Sequence, residues 1–240
     1  MNHLVTSLLL LIPLALLAQQ NPMVDNSVAE LARPFVPSGW KVIATAKGDL
    51  NKDAAGDIAL VIENTDIANI ITNTDEGALP ETFNTNPRYL LVLFKSENTY
   101  TLAAKDEDFI PSQDNPEIPC LVDPFVEAGG LEIKNGTLII TTQTFWSCGS
   151  WAIDDNTFTL RYQDGAFTLI GFDNHSGNRA TGGVSEVSIN YLTKKKSITD
   201  GGNMFFEEKD KPVTTWQKIT VTKLLTLSDL SKDTEIDYWN

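Results

Sequence analysis

The chain has 240 residues, enough for one or two domains with a sizeable core, and its hydrophobic fraction of 42% is that of a globular protein. With 18 Lys and Arg against 32 Asp and Glu, the formal net charge is -14. A surface of that sign repels phosphate backbones and anionic lipid headgroups, which argues against nucleic acid or a membrane surface as partner and favours cations and basic partners.

Residues 4–18, LVTSLLLLIPLALLA, carry no charge. The run is too short to cross hydrocarbon, which takes about 20 helical residues. It has the length of a signal-peptide core, and Ala18 places a small residue before a cleavage point. The expectation is a leader over residues 1–18 and a periplasmic or secreted mature chain with no membrane span; a retained anchor is the alternative. Residues 19–39 then read as a short helix and linker. The helix falls within 24–33, capped by Asp25 or Asn26, and the Pro- and Gly-bearing run 34–39 ends it.

From Trp40 the pattern is β, and a β domain is expected over 40–227, with an irregular tail over 228–240. Residues 41–47 and 58–63 predict two strands, and 89–94 and 100–104 two more. Residues 131–133 and 138–142 flank Asn135-Gly136, and 158–162 and 167–172 flank Asp164-Gly165; both dipeptides accept the positive φ of tight hairpin turns. Residues 184–191 alternate, as do 216–227. The fold class is therefore all-β: two antiparallel four-stranded meanders, about 40–104 and 131–172, packed as a sandwich or blade-like. The sequence around Phe94 and Tyr100 echoes that around Tyr162 and Phe167, so the meanders read either as pseudo-repeats or as two aromatic-flanked hairpins. Residues 105–117 and 193–212 read as polar connections.

In an exported chain the two cysteines, Cys120 and Cys148, most simply form one disulfide; a reactive Cys148 thiol is the other reading. Trp146 and Trp151 bracket Cys148 and suit either packing on that bridge or stacking on a sugar.

Between the first two strands lies Asp49-Leu50-Asn51-Lys52-Asp53-Ala54-Ala55-Gly56-Asp57. Calcium takes six to eight oxygens at roughly 2.3–2.6 Å, and a loop supplies them when oxygen side chains recur at every second position. Counting from Asp49, such side chains fall at positions 1 (Asp49), 3 (Asn51), 5 (Asp53) and 9 (Asp57), with the Ala55 carbonyl at position 7. An EF-hand would have Gly where Ala54 stands and Glu where Leu60 stands, so the loop is not of that kind. The alternative is an Asp- and Asn-rich turn that binds nothing.

Gly48-Asp49-Leu50-Asn51-Lys52-Asp53, followed by Asp57-Ile58-Ala59-Leu60-Val61-Ile62, resembles the calcium-loop repeats of integrin α-chain propellers, the FG-GAP/VCBS type. The resemblance spans about residues 40–63, is a single copy, and lacks the Phe-Gly and Gly-Ala-Pro landmarks. What it implies is a β-hairpin braced by calcium.

Other chemistry is sparse. His175 reads as a loop residue, and Cys148-Gly149-Ser150-Trp151 lacks the elbow that positions a hydrolase serine. The acidic pairs, Asp106 to Asp108, Asp154/Asp155 and Glu207/Glu208, read as solvated surface, since neighbours on a strand face opposite ways. Lys194 to Lys196 reads as a loop, and Asn135 and Asn174 match the glycan acceptor pattern. The leading expectation is an exported, non-catalytic binding or accessory protein with a protein or carbohydrate partner and a structural calcium loop. A hydrolase using carboxylates from separate strands is the first alternative, and an acidic inhibitor-like module the second.

Overall fold

The computed structural model describes residues 23–74, 80–125, 129–205 and 211–236. The expected leader, Glu207 and Glu208, and the last four residues lie outside them. No helix among the described residues is long and apolar enough to cross a membrane.

One helix, α1 (Asn26–Ala32), opens the described chain. Its cap is Asp25, whose Oδ1 accepts from the N–H groups of Ser27 at 2.8 Å and Val28 at 3.4 Å. Six strands follow: β1 (Trp40–Gly48), β2 (Asp57–Asn64), β3 (Ile70–Thr72), β4 (Thr82–Asn84), β5 (Arg88–Ser96) and β6 (Thr99–Asp106). β1, β2, β5 and β6 form a four-stranded antiparallel sheet in that order, while β3 and β4 make a separate small hairpin between β2 and β5. This is the first expected meander with one hairpin inserted.

The second meander begins where expected and continues further. β7 (Leu131–Lys134), β8 (Thr137–Phe145), β9 (Ala152–Gln163), β10 (Ala166–Asn178), β11 (Gly183–Asn190), β12 (Lys195–Asn203) and β13 (Val213–Lys218) form one seven-stranded antiparallel sheet in chain order. Three expectations change as a result. Lys195 and Lys196 start a strand rather than sit in a loop, because β12 pairs along its length with β11 despite its Gly and Asn content. The final alternating run gives a strand only as far as Lys218, and Leu225 beyond it instead accepts a bond from Leu169 N–H. His175 lies within β10, opposite Glu186 of β11 with Nδ1 to Oε1 at 3.3 Å, and is not a loop residue.

Strand β2 explains the layering. Ala59 and Val61 face the seven-stranded sheet, joining Leu90 and Val92 of β5 against Ile140, Phe158, Leu160, Leu169 and Phe172. Ile58, Leu60 and Ile62 face the other way, where Val28 and Ala32 of α1 cover them. A strand covered on both faces reads as an unbroken apolar run, as IALVI does. Phe94 of β5 meets Tyr162 and Phe167 of the larger sheet, with ring centroids 4.8 and 6.1 Å apart, so the two echoing hairpins pack on one another. At the opposite edge β1 crosses close to β7: a Cβ on Gly48 would lie 2.5 Å from Ile133 Cγ2, so only glycine fits there.

Cys120 and Cys148 are joined as a disulfide with Cα atoms 5.3 Å apart.

Candidate ligand groove and the acidic loop

The strands of the larger sheet outrun the smaller one. On its inner face, the apolar row of Ile140, Phe158 and Phe172 gives way two residues further on to Thr142, Asn156 and Asn174, and then to Thr144, Asp154 and Ser176. These polar side chains share the face of Phe158 because strand residues alternate in pairs. Asn174, 3% exposed, donates its Nδ2 to Asn156 Oδ1 at 2.9 Å, which ties the two strands and leaves no room for a glycan on Asn174. Asp154 and Asp155 point to opposite faces. Asp155 accepts from Gln143 Nε2 at 2.6 Å on the outer side. Asp154 on the inner side is held above the usual carboxylate range by burial; the Asn174 amide opposes that shift and the Asp155 charge adds to it.

A groove of about 470 Å³ runs over this polar overhang, within the volume range of small-molecule sites. Thr142, Thr144 and Asn156 lie on its floor, and residues 111–118 form the facing wall. That wall belongs to the connection expected to run over the surface. Its residues 115–117 are exposed, while Phe109 and Ile110 anchor it in the core at 2% and 3% exposure. Leu121 makes a β-bridge with Trp146, and Cys120 O accepts from both the N–H and the hydroxyl of Ser147, so the bridge region clamps the far end of the wall. Trp151 is exposed, with the Arg179 guanidinium lying between its ring and that of Phe145.

A buried ion network fixes the wall to the scaffold. Arg88, at the start of β5, donates Nη1 and Nη2 to the two oxygens of Asp123, each at 2.7 Å, and Nε to Glu63 Oε2 at 2.7 Å. Glu63 is completed by Lys41 Nζ at 2.7 Å. Burial pushes the Glu63 carboxyl up, but the Lys41 bond together with the charge and bond of Arg88 outweighs it and holds the group below its ordinary value. Beside this network Asp114 Oδ2 accepts from Asn84 N–H at 2.7 Å. Burial raises the Asp114 carboxyl; the Asn84 bond opposes this and the Asp123 charge reinforces it. Sequence reasoning did not find Arg88, Asp114 or Asp123 as site residues. The available signal was a single Arg beginning an otherwise apolar strand, a costly position without acidic partners.

The acidic loop is a compact knot between β1 and β2. Asp49 Oδ1 accepts from Lys52 N–H at 2.6 Å and Oδ2 from Ala54 N–H at 3.0 Å. Asn51 Oδ1 accepts from Asp53 N–H at 3.0 Å, and Asp53 Oδ1 from Ala55 N–H at 2.7 Å. Asp57 is fully buried: its Oδ2 accepts from Leu50 and Asn51, and its Oδ1 from Lys95 N–H of β5 at 2.9 Å. Lys52 and Ala54 take left-handed φ values of 68° and 65°, so Ala54 supplies the conformation that Gly gives an EF-hand loop. Among the described residues, no three acidic, histidine or cysteine side chains stand together as a metal-holding group.

Comparison with family models, with curated proteins and with solved structures finds no match to this chain.

Proposed function

We propose that this chain is an exported binding protein, not an enzyme, which holds its ligand in the groove over the polar overhang of the seven-stranded sheet. The observation that carries this reading is the groove itself: a pinned wall facing a floor of hydroxyl and amide side chains where the inner face of the larger sheet turns from apolar to polar. The disulfide supports passage to an oxidising compartment. Co-sedimentation with envelope material tests the assignment. Wild type is retained and Thr144→Trp, which fills the groove, is not; equal retention of the two overturns it.

The acidic loop is, in the same proposal, a calcium brace of the FG-GAP/VCBS kind, with Asp49, Asn51, Asp53, the Ala55 carbonyl and Asp57 as the oxygens. The alternating oxygen spacing between two strands supports it. Both oxygens of Asp49 and one of Asp53 are engaged by backbone N–H groups, so an ion must reorient these side chains and its affinity is low. Calorimetry with millimolar calcium should show binding that Asp53→Ala abolishes; absence of heat in wild type overturns the brace.

A second reading rests on Asp114 of the groove wall and Asp154 on the same sheet face as its floor, two carboxylates raised by burial; glycoside hydrolysis runs on two facing carboxylates. Release of product that stops in both Asp114→Asn and Asp154→Asn would favour it over binding alone.

A further inference from the structure

The hydrogen-bonding groups in the groove narrow what it holds, given the ligand-binding reading on which this step rests. Within the protein, Asn156 uses its carbonyl oxygen on Asn174, Asn115 uses its own on Glu117 N–H, and Gln113 uses its own on Asn84; the three amide NH₂ groups are not taken up by those bonds. Asp114 engages one oxygen and leaves the other. The Thr142 and Thr144 hydroxyls, each able to donate and accept, complete the set on the floor. Donors and acceptors are therefore mixed along the groove, together with the apolar side chains of Pro111, Leu121 and Pro124.

The cations nearby are already matched. Arg88 is closed by Glu63 and Asp123, and Lys232 at the groove's edge is closed by Asp108 at 3.1 Å and Asp233 at 3.2 Å. An anionic ligand finds no uncompensated cation among the described residues that line the groove. A cationic one finds the second oxygen of Asp114 beside a floor of neutral amides and hydroxyls. A ligand whose every unit carries hydroxyls able to donate and accept, set on apolar C–H faces, matches this donor–acceptor mixture.

We propose that the groove binds a neutral oligosaccharide, laid along Thr142, Thr144 and Asn156 and capped by Gln113, Asp114 and Asn115. The binding group is the side-chain amides and hydroxyls, and affinity is therefore insensitive to salt.

Calorimetry against neutral gluco-, galacto-, manno- and N-acetylglucosamine oligomers, with spermine and polygalacturonate oligomers as charged probes, tests this. One neutral oligomer should bind, unchanged between low and high salt. Asn156→Ala and Thr142→Val should each weaken it about tenfold, the loss of roughly one hydrogen bond. Thr157→Ala, on the opposite face, should leave it unaltered. Binding confined to spermine or polygalacturonate overturns the proposal. So does silence toward every neutral oligomer; if Thr144→Trp still abolishes retention on envelope material, the groove remains a binding site and only the saccharide class is lost. If that retention is also unaffected, both readings fall.

Discussion

Every residue of β2 from Asp57 to Glu63 is buried, whereas every residue of β13 is exposed. The central strands of the smaller sheet, β2 and β5, are covered by α1 on one side and by the larger sheet on the other, so their residues are constrained to be apolar or fully paired. The larger sheet has one face open and part of the other overhanging, and it can carry rows of Thr, Asn, Ser and Asp. The scaffold is the part that tolerates least chemistry, and the groove lies where that constraint ends.

The largest effect should come from breaking the buried network. Arg88→Ala takes the paired guanidinium from half-buried Asp123 and leaves buried Glu63 with Lys41 as its cation, and should lower stability by about 3–5 kcal/mol in urea titration. Arg88→Lys should recover only part of it, since an ammonium cannot bond both oxygens of Asp123 in parallel. Leu60→Ala in β2 should cost about 2–5 kcal/mol, while Thr214→Ala in β13 should change stability by less than about 0.5 kcal/mol. If the two substitutions cost the same, the contrast between the sheets is wrong.

Ala54→Gly should stabilise the acidic loop by roughly 1 kcal/mol, because the left-handed φ of 65° strains a residue with a Cβ. A rise in melting temperature with unchanged cooperativity is the readout.

The smallest effect is a pH dependence of opposite sign in two regions. Glu63 is depressed in the folded chain, so its contribution is present above its ordinary value of 4.5 and is lost as pH falls through its folded value. Asp154 is raised, so its contribution is fully present below 3.8 and is lost as pH rises through its folded value. Asp154→Asn should therefore melt higher than wild type at neutral pH, and the difference should vanish as the pH drops below about 3.8. A constant difference at all pH values would remove burial as the cause.

The parts that sequence reveals and conceals follow the same division. The runs at Ile58–Ile62 and Leu90–Phe94 declared buried strands outright, and Asn135-Gly136 and Asp164-Gly165 marked hairpins that form at those positions. Strand β12 was hidden, since Gly201, Gly202 and a lysine cluster argue against a strand until β11 is there to pair with it. The acidic loop was visible because its residues are contiguous. The groove was not: Asp114, Thr142 and Asn156 come from a connection and two strands, and only the register of β8 on β9 places Thr142 beside Asn156. Likewise nothing local says that Arg88 reaches Asp123, thirty-five residues on.

Apart from the inserted β3–β4 hairpin, every strand in both large sheets lies beside its neighbour in the chain. Each can zip up hairpin by hairpin as the polypeptide lengthens, closing short loops in turn and deferring long-range closure to the docking of one finished layer on the other. A chain delivered N-terminus first completes the smaller layer before Cys120 and Cys148 can meet, and the broad layer then grows outward strand by strand, with its free border at β13 the last to be laid down.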